Sequence, residues 1–360
     1  MSKQQQEVSE GGQALQAGGD IVVHNGMTAD QMSEIIVSLT KQISALTAEA
    51  QIEQERRFGE LKDALLLEFA KSDTKANTEA LSDPDFQYVV RDAHEAFARR
   101  GEADLKIELV NLISERSVYE ASTRVAQTLN LAIELAGKLS REEYAALVAI
   151  FVVKEVVVSG GDPNIIIDKT DFLLKPFISF LPENGNSIEY LESIGCIKIN
   201  NLISNPLSTI MHRKYAHAFG PGFDLEQLKS ACENEANFGK VRQIIIENPN
   251  KFSVFYSFKD QTIFKFTHGT EPDLRLHLDR MHVDVECQNK LIELLNSTMA
   301  TENQVIDEFR SKSSSIQALE KFWGISQTQQ ATATMVGKAL AHSATVSKGC
   351  MNAPLNIWVN

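Results

Sequence analysis

The sequence predicts a mainly α protein, with a short β segment in front and an α+β region behind. Three observations carry this expectation. Of nine prolines only Pro84 falls in the first 162 residues, and a proline costs roughly 3 kcal/mol inside a helix, so 28–158 reads as long helices. Apolar residues recur there at three- and four-residue spacing, the period of an amphipathic helix. Beyond the Ser159-Gly-Gly-Asp-Pro163 break the elements shorten and include aromatic, β-branched runs. The implied organisation is a glycine-rich β segment over 1–27, a long amphipathic or coiled-coil helix over 28–80, a helical bundle over 81–160, and an α+β domain over 161–360 with a winged-helix-like part.

The first segment alternates apolar Leu15, Ile21 and Val23 with polar Gln16, Asp20 and His24, and Asn25-Gly26 is a turn signal. A hairpin this small needs copies of itself or the body of the protein to pair with, and the segment equally reads as a flexible tail. Thr28 with Gln31 then forms a possible capping box. Ile36, Leu39, Ile43, Leu46 and Ala50 follow at alternating spacings of three and four, the seam of a coiled coil. After a phase slip a second stripe, Phe58, Leu61, Leu65 and Phe69, continues it. A seam of this length needs a partner, either an intramolecular helix or a second copy.

Ser82-Asp-Pro-Asp85 opens the next helix, with Phe86, Val89, Val90, Ala93 and Phe97 on one face and Gly101 as its stop. Ser140 with Glu143 caps a helix from Tyr144 to Val158 that is apolar on almost every side, hence a buried centre. Ile188 to Ile199 reads as a helix turning at Gly195 into a strand, a corner that winged-helix domains also show. Phe252–Phe258 and Thr262–Phe266 read as a hairpin, and 287–309 and 315–342 as helix. Pro354–Asn360 reads as a short terminal strand.

Composition limits function. The 48 Asp and Glu against 35 Lys and Arg give a net charge of −13, which repels phosphate backbones and makes nucleic acid an unfavoured partner. The longest apolar run, Ala145 to Val153, is too short to span a bilayer, and Met1 to Glu7 lacks a secretory core, so a cytoplasmic location is expected. The four cysteines form no CxxC pair, and no phosphate-binding glycine loop or nucleophile elbow occurs; no cofactor is implied.

Two clusters offer chemistry. His212, Arg213, Lys214, Tyr215 and His217 form a basic, aromatic-bearing run that could grip a phosphate or a base, or could be an exposed helix end. His277, Asp279 and His282, within a run that begins at His268, are weak metal-ligand candidates, and equally the polar face of an amphipathic element.

Gln16–Thr28, Ser82–Tyr88 with Leu139–Tyr144, and Val336–His342 with Leu355–Val359 together resemble a family of uncharacterised bacterial proteins associated with phage-defence loci. The opening segment is also similar to amyloid-type signalling motifs of bacterial immune proteins, for which Gln16 to Val23 would be the cross-β core. Asp20 departs from that pattern, because stacked like charges repel, which favours a closed, finite oligomer. The resemblance implies a homo-oligomeric sensor or structural component of a defence system, with a possible protein partner from the same locus and no carried-over catalytic residue. Self-assembly would run through Gln16, Ile21, Val23, Ile36, Leu39, Ile43 and Leu46. Two other readings stay open: a metal-dependent hydrolase or nuclease using the 268–287 cluster, and a winged-helix DNA-binding regulator at 188–200.

Overall fold

The computed structural model describes residues 30, 31, 33, 34, 48–71, 76–158, 162–247, 252–256, 262–266 and 271–359. The expected β segment and the Ile36–Leu46 seam lie outside them. The chain divides into two compact units, Met1–Gly137 and Lys138–Asn360.

The first unit is helical. α1 (Ala48–Phe69) packs along α2 (Pro84–Arg100) and α3 (Ala103–Arg116), and α4 (Arg124–Ala136) packs on α2 and α3. Local sequence sets the ends. Asp83 caps α2 ahead of Pro84 by accepting from the Asp85 N–H at 3.0 Å, and Gly101 at φ 69° closes it. Leu61 and Leu65 are the buried residues of α1, Leu65 shares an apolar pocket with Phe86, Val90 and Ile113, and Phe58 lies 4.3 Å, ring to ring, from His94. The Phe58–Phe69 half of the seam is therefore covered by its own chain and is not a coiled-coil surface.

A buried guanidinium ties this unit together. Arg116 is 1% exposed, donating to Asp85 Oδ2 at 2.5 Å, to Asn130 Oδ1 at 2.7 Å and to the Tyr119 carbonyl at 2.8 Å. Asn130 donates to the same Asp85 oxygen, so α2, α3 and α4 meet on one charge-assisted network.

The second unit runs α5 (Arg141–Lys154), α6 (Pro163–Leu174), α7 (Asn186–Ser193), β1 (Ile197–Ile199), α8 (Leu207–Phe219), β2 (Phe223–Asp224), α9 (Leu225–Cys232), α10 (Glu235–Glu247), β3 (Phe252–Tyr256), β4 (Thr262–Phe266), α11 (Glu271–Arg280), α12 (Val285–Ser297), α13 (Glu302–Lys312), α14 (Ile316–Trp323), α15 (Ser326–Gln330), β5 (Ala331–Ala333) and α16 (Met335–Ser347). α5 begins at the expected capping box, with the Ser140 N–H donating to Glu143 Oε2 at 2.7 Å, and every residue from Tyr144 to Val153 is buried. It packs against α6, α7, α8, β5 and α16. The helix is a buried centre, as its all-round apolar sequence demands, but of this unit: the bundle expected over 81–160 is divided at Gly137.

Two small antiparallel sheets complete the unit. β1 pairs with β5 in the register Ile197↔Ala333, Lys198↔Thr332 and Ile199↔Ala331. The corner at 188–200 is therefore no wing, because its strand pairs with one far along the chain. Gly195 at φ 79° makes the turn: its N–H donates to the Glu192 carbonyl and that of Cys196 to Leu191, a Schellman closure. The Ala331–Ala333 pairing also interrupts the helix expected over 315–342, since tertiary pairing overrides alanine's helix preference. The expected terminal strand is a 3-10 turn, Leu355–Ile357.

The second sheet has the order β2-β4-β3, with Phe223 opposite Phe264 and Phe252 opposite Phe266. Gly222, at φ 74°, lets β2 lie against β4, because a Cβ there would sit 2.5 Å from the Phe264 carbonyl oxygen. Helix α8, strand β2, helices α9 and α10 joined by a two-residue turn, and a hairpin whose second strand is central make the connectivity of a winged helix. The winged helix occupies 207–266, not 188–200. Its core (Phe223, Leu228, Val241, Ile244, Ile245) continues into Leu274 and Leu278 of α11 and Leu291 and Leu295 of α12.

Candidate functional site

The basic run expected to bind a ligand lies on α8, and most of it is engaged inside the fold. Tyr215 is buried, and its hydroxyl accepts from the Val158 N–H at 3.2 Å. His212 Nε2 lies 3.1 Å from the Ala300 carbonyl. Lys214 Nζ donates to the carbonyls of Val152 at 3.3 Å and Val153 at 2.5 Å, orphan acceptors in the last turn of α5, and to that of Val156, just beyond the helix, at 2.7 Å. His217 is half-buried, and burial pushes its imidazole below the usual range. Arg213 alone among the five is exposed.

Next to Lys214, Lys154 reaches the other way. Its Nζ donates to the Gln329 carbonyl at 2.8 Å, to Thr328 at 3.3 Å and to Ala331, and it lies 5.6 Å from the Trp323 ring. Burial pulls Lys214 down to about 7 and Lys154 to about 8; nearby Glu155 opposes the shift and Arg213 adds to it. Glu155 in turn pairs with Lys338 at 2.9 Å. Each ammonium has three carbonyl partners, so this is a fastening of α5 to α8 and to the α15–β5 turn.

The His277–His282 run is likewise structural. Asp279 Oδ1 accepts from Gln288 Nε2 at 2.8 Å. His282 sits at φ 53° just past α11; its N–H donates to the Asp279 carbonyl at 2.9 Å and that of Val283 to Leu278 at 3.0 Å. This is the closure found at Gly195, with histidine in the position that favours glycine. The His282 carbonyl accepts from Lys240 Nζ at 2.5 Å. Among the described residues no three His, Cys, Asp or Glu side chains are placed to hold a metal. The oligomerisation residues Gln16, Ile21, Val23, Ile36, Leu39, Ile43 and Leu46 lie outside the described residues.

What the unit leaves open is one face of α10. Asn237, Val241, Ile244 and Ile245 face inward, and Asn237 Nδ2 donates to Asp284 Oδ2 at 2.9 Å. Glu235, Ala236, Gly239, Arg242, Gln243, Ile246 and Glu247 are exposed. Nothing lies within 4 Å of where a Cβ on Gly239 would be, and Arg242 has no partner among the described residues. Sequence reasoning missed this face because the strand defining the module, β2, is two residues long.

A model of a protein family of unknown function matches residues 26–359. The chain belongs to that family. The match begins after the Gln16–Val23 segment and spans both units. No curated protein and no solved structure matches the chain.

Proposed function

We propose that this member of the family is a binding protein rather than an enzyme, acting as a self-assembling sensor or structural component of a bacterial anti-phage defence system. One observation carries the binding reading: the residues that read as chemistry hold backbone in place, while the second helix of a helix-turn-helix stands open to solvent. Self-assembly rests on the seam Ile36, Leu39, Ile43 and Leu46, with Gln16, Ile21 and Val23 ahead of it. The defence setting rests on the resemblance of the three segments named above.

Replacing Ile36, Leu39, Ile43 and Leu46 together with Ser tests the assembly. Each side chain contributes roughly 1.5–3 kcal/mol if fully buried, so the four amount to about 6–12 kcal/mol per chain before the entropic cost of association. Light scattering should show monomers with helical circular dichroism retained, and cells carrying the variant in its native locus should lose protection against phage. An unchanged particle mass would end the assembly reading, and unchanged protection with monomers would separate assembly from defence.

A further inference from the structure

We propose that the open face of α10 binds duplex nucleic acid, with Gly239, Arg242 and Gln243 as the contacting residues. The proposal rests on the reading of the chain as a binding protein and names the partner of one of its surfaces. A helix of this placement, second in a helix-turn-helix and followed by a hairpin, is presented to a groove about 12 Å wide that admits one helix.

The side chains on the open face suit that groove. Ala236 and Gly239 add almost no bulk, and the space over Gly239 is empty, so backbone can approach a surface closely. Arg242 and Gln243 lie one after the other beyond them, both exposed, and Arg and Gln are side chains that read guanine and adenine edges. Glu247, the acid nearest them on the helix, accepts from Gln243 Nε2 at 2.6 Å, and Glu233 in the turn is paired with Lys290.

Charge distribution points the same way. The winged helix over 207–266 carries eight Lys and Arg against six Asp and Glu, whereas the whole chain carries −13. The overall acidity disfavours nonspecific coating of nucleic acid; the module is close to neutral, although Lys214, Lys240 and Lys265 among its cations are bonded to backbone carbonyls. Glu226 and Glu235 remain exposed near the starts of α9 and α10, so the affinity is modest and falls steeply with salt.

The test is fluorescence anisotropy of the full chain with a labelled mixed-sequence duplex of about 25 base pairs, across a salt series. Binding at low salt should weaken with added salt, and Arg242→Glu should reduce affinity on the order of tenfold or more, about 1.4 kcal/mol per tenfold. Arg242→Ala, a milder change at an exposed position, should fall between, and Glu235→Gln should tighten binding because it removes a like charge. Circular dichroism and the melt of each variant should match the parent, since neither side chain is buried. No duplex binding at low salt overturns the proposal and leaves α10 to a protein partner. Binding that ignores all three substitutions overturns it as well, by moving the contact elsewhere. Light scattering of the seam variant reads the assembly separately, so failure of duplex binding leaves that reading intact.

Discussion

At the scale of single residues, His282 shows how backbone geometry can imitate chemistry. Three helices of the second unit end in the same pair of hydrogen bonds; Gly195 and Gly349 hold two of the turns at positive φ and His282 holds the third at φ 53°. The apolar contact that accompanies this closure is present too, since Leu278 and Val283 share one core. His282→Gly keeps the carbonyl that Lys240 uses and removes the cost of a side chain at positive φ. Relief of the left-handed conformation, roughly 1–2 kcal/mol, outweighs the about 0.4–1 kcal/mol that glycine's unfolded-state freedom costs, so stability should rise by up to about 1 kcal/mol in a thermal melt. A fall in stability would mean that the imidazole makes a contact of its own. Buried His94 gives a second expectation, this time in pH. Burial holds it down to about 4, against an ordinary 6.5, while its Nδ1 meets the Val90 carbonyl at 2.8 Å. Between those values the unfolded chain binds the proton and the folded one does not, so stability rises with pH through the window. The first unit should lose roughly 3 kcal/mol as pH falls from 6.5 to 4, and His94→Phe should flatten that dependence. Equal slopes for parent and variant in acid melts would assign the loss to other groups.

At the scale of elements, Lys214 separates a ligand-binding reading of α8 from a structural one. Lys214→Met keeps the apolar stem but leaves three carbonyls at and just beyond the end of α5 without their donor, which should cost about 1–3 kcal/mol. Arg213→Ala, at an exposed neighbour, should stay within about 0.5 kcal/mol. Chemical denaturation of the two variants checks this, and equal effects would remove the fastening role. The same elements show what a sequence can express. The start of α2 at Asp83-Pro84, the Ser140–Glu143 box and the β3–β4 hairpin are local devices, and each stands where its residues indicate. The position of the winged helix was not legible. Its first strand exists only because Phe223 and Asp224 meet Phe264 and Ile263 some forty residues on. The candidate site was misread for a related reason: a buried lysine that caps a helix and one that grips a phosphate have the same sequence signature.

At the scale of the whole molecule, the two units draw differently on the chain. The first is built from consecutive helices, joined on Arg116 by bonds spanning at most 45 residues. The second closes across its full length. Lys154 bonds carbonyls at 328–331, Trp358 Nε1 donates to the Glu155 carbonyl across 203 residues, and the Trp358 ring meets Phe151 edge-on at 5.1 Å. This closure bears on synthesis. At about 5–20 residues per second, α5 leaves the ribosome roughly 10–40 s before residue 358 can cover it. For that time a helix apolar on nearly every side has only α6, α7 and α8 to pack against and lacks its cover from β5 and α16, which makes the growing chain a natural client for a holding chaperone.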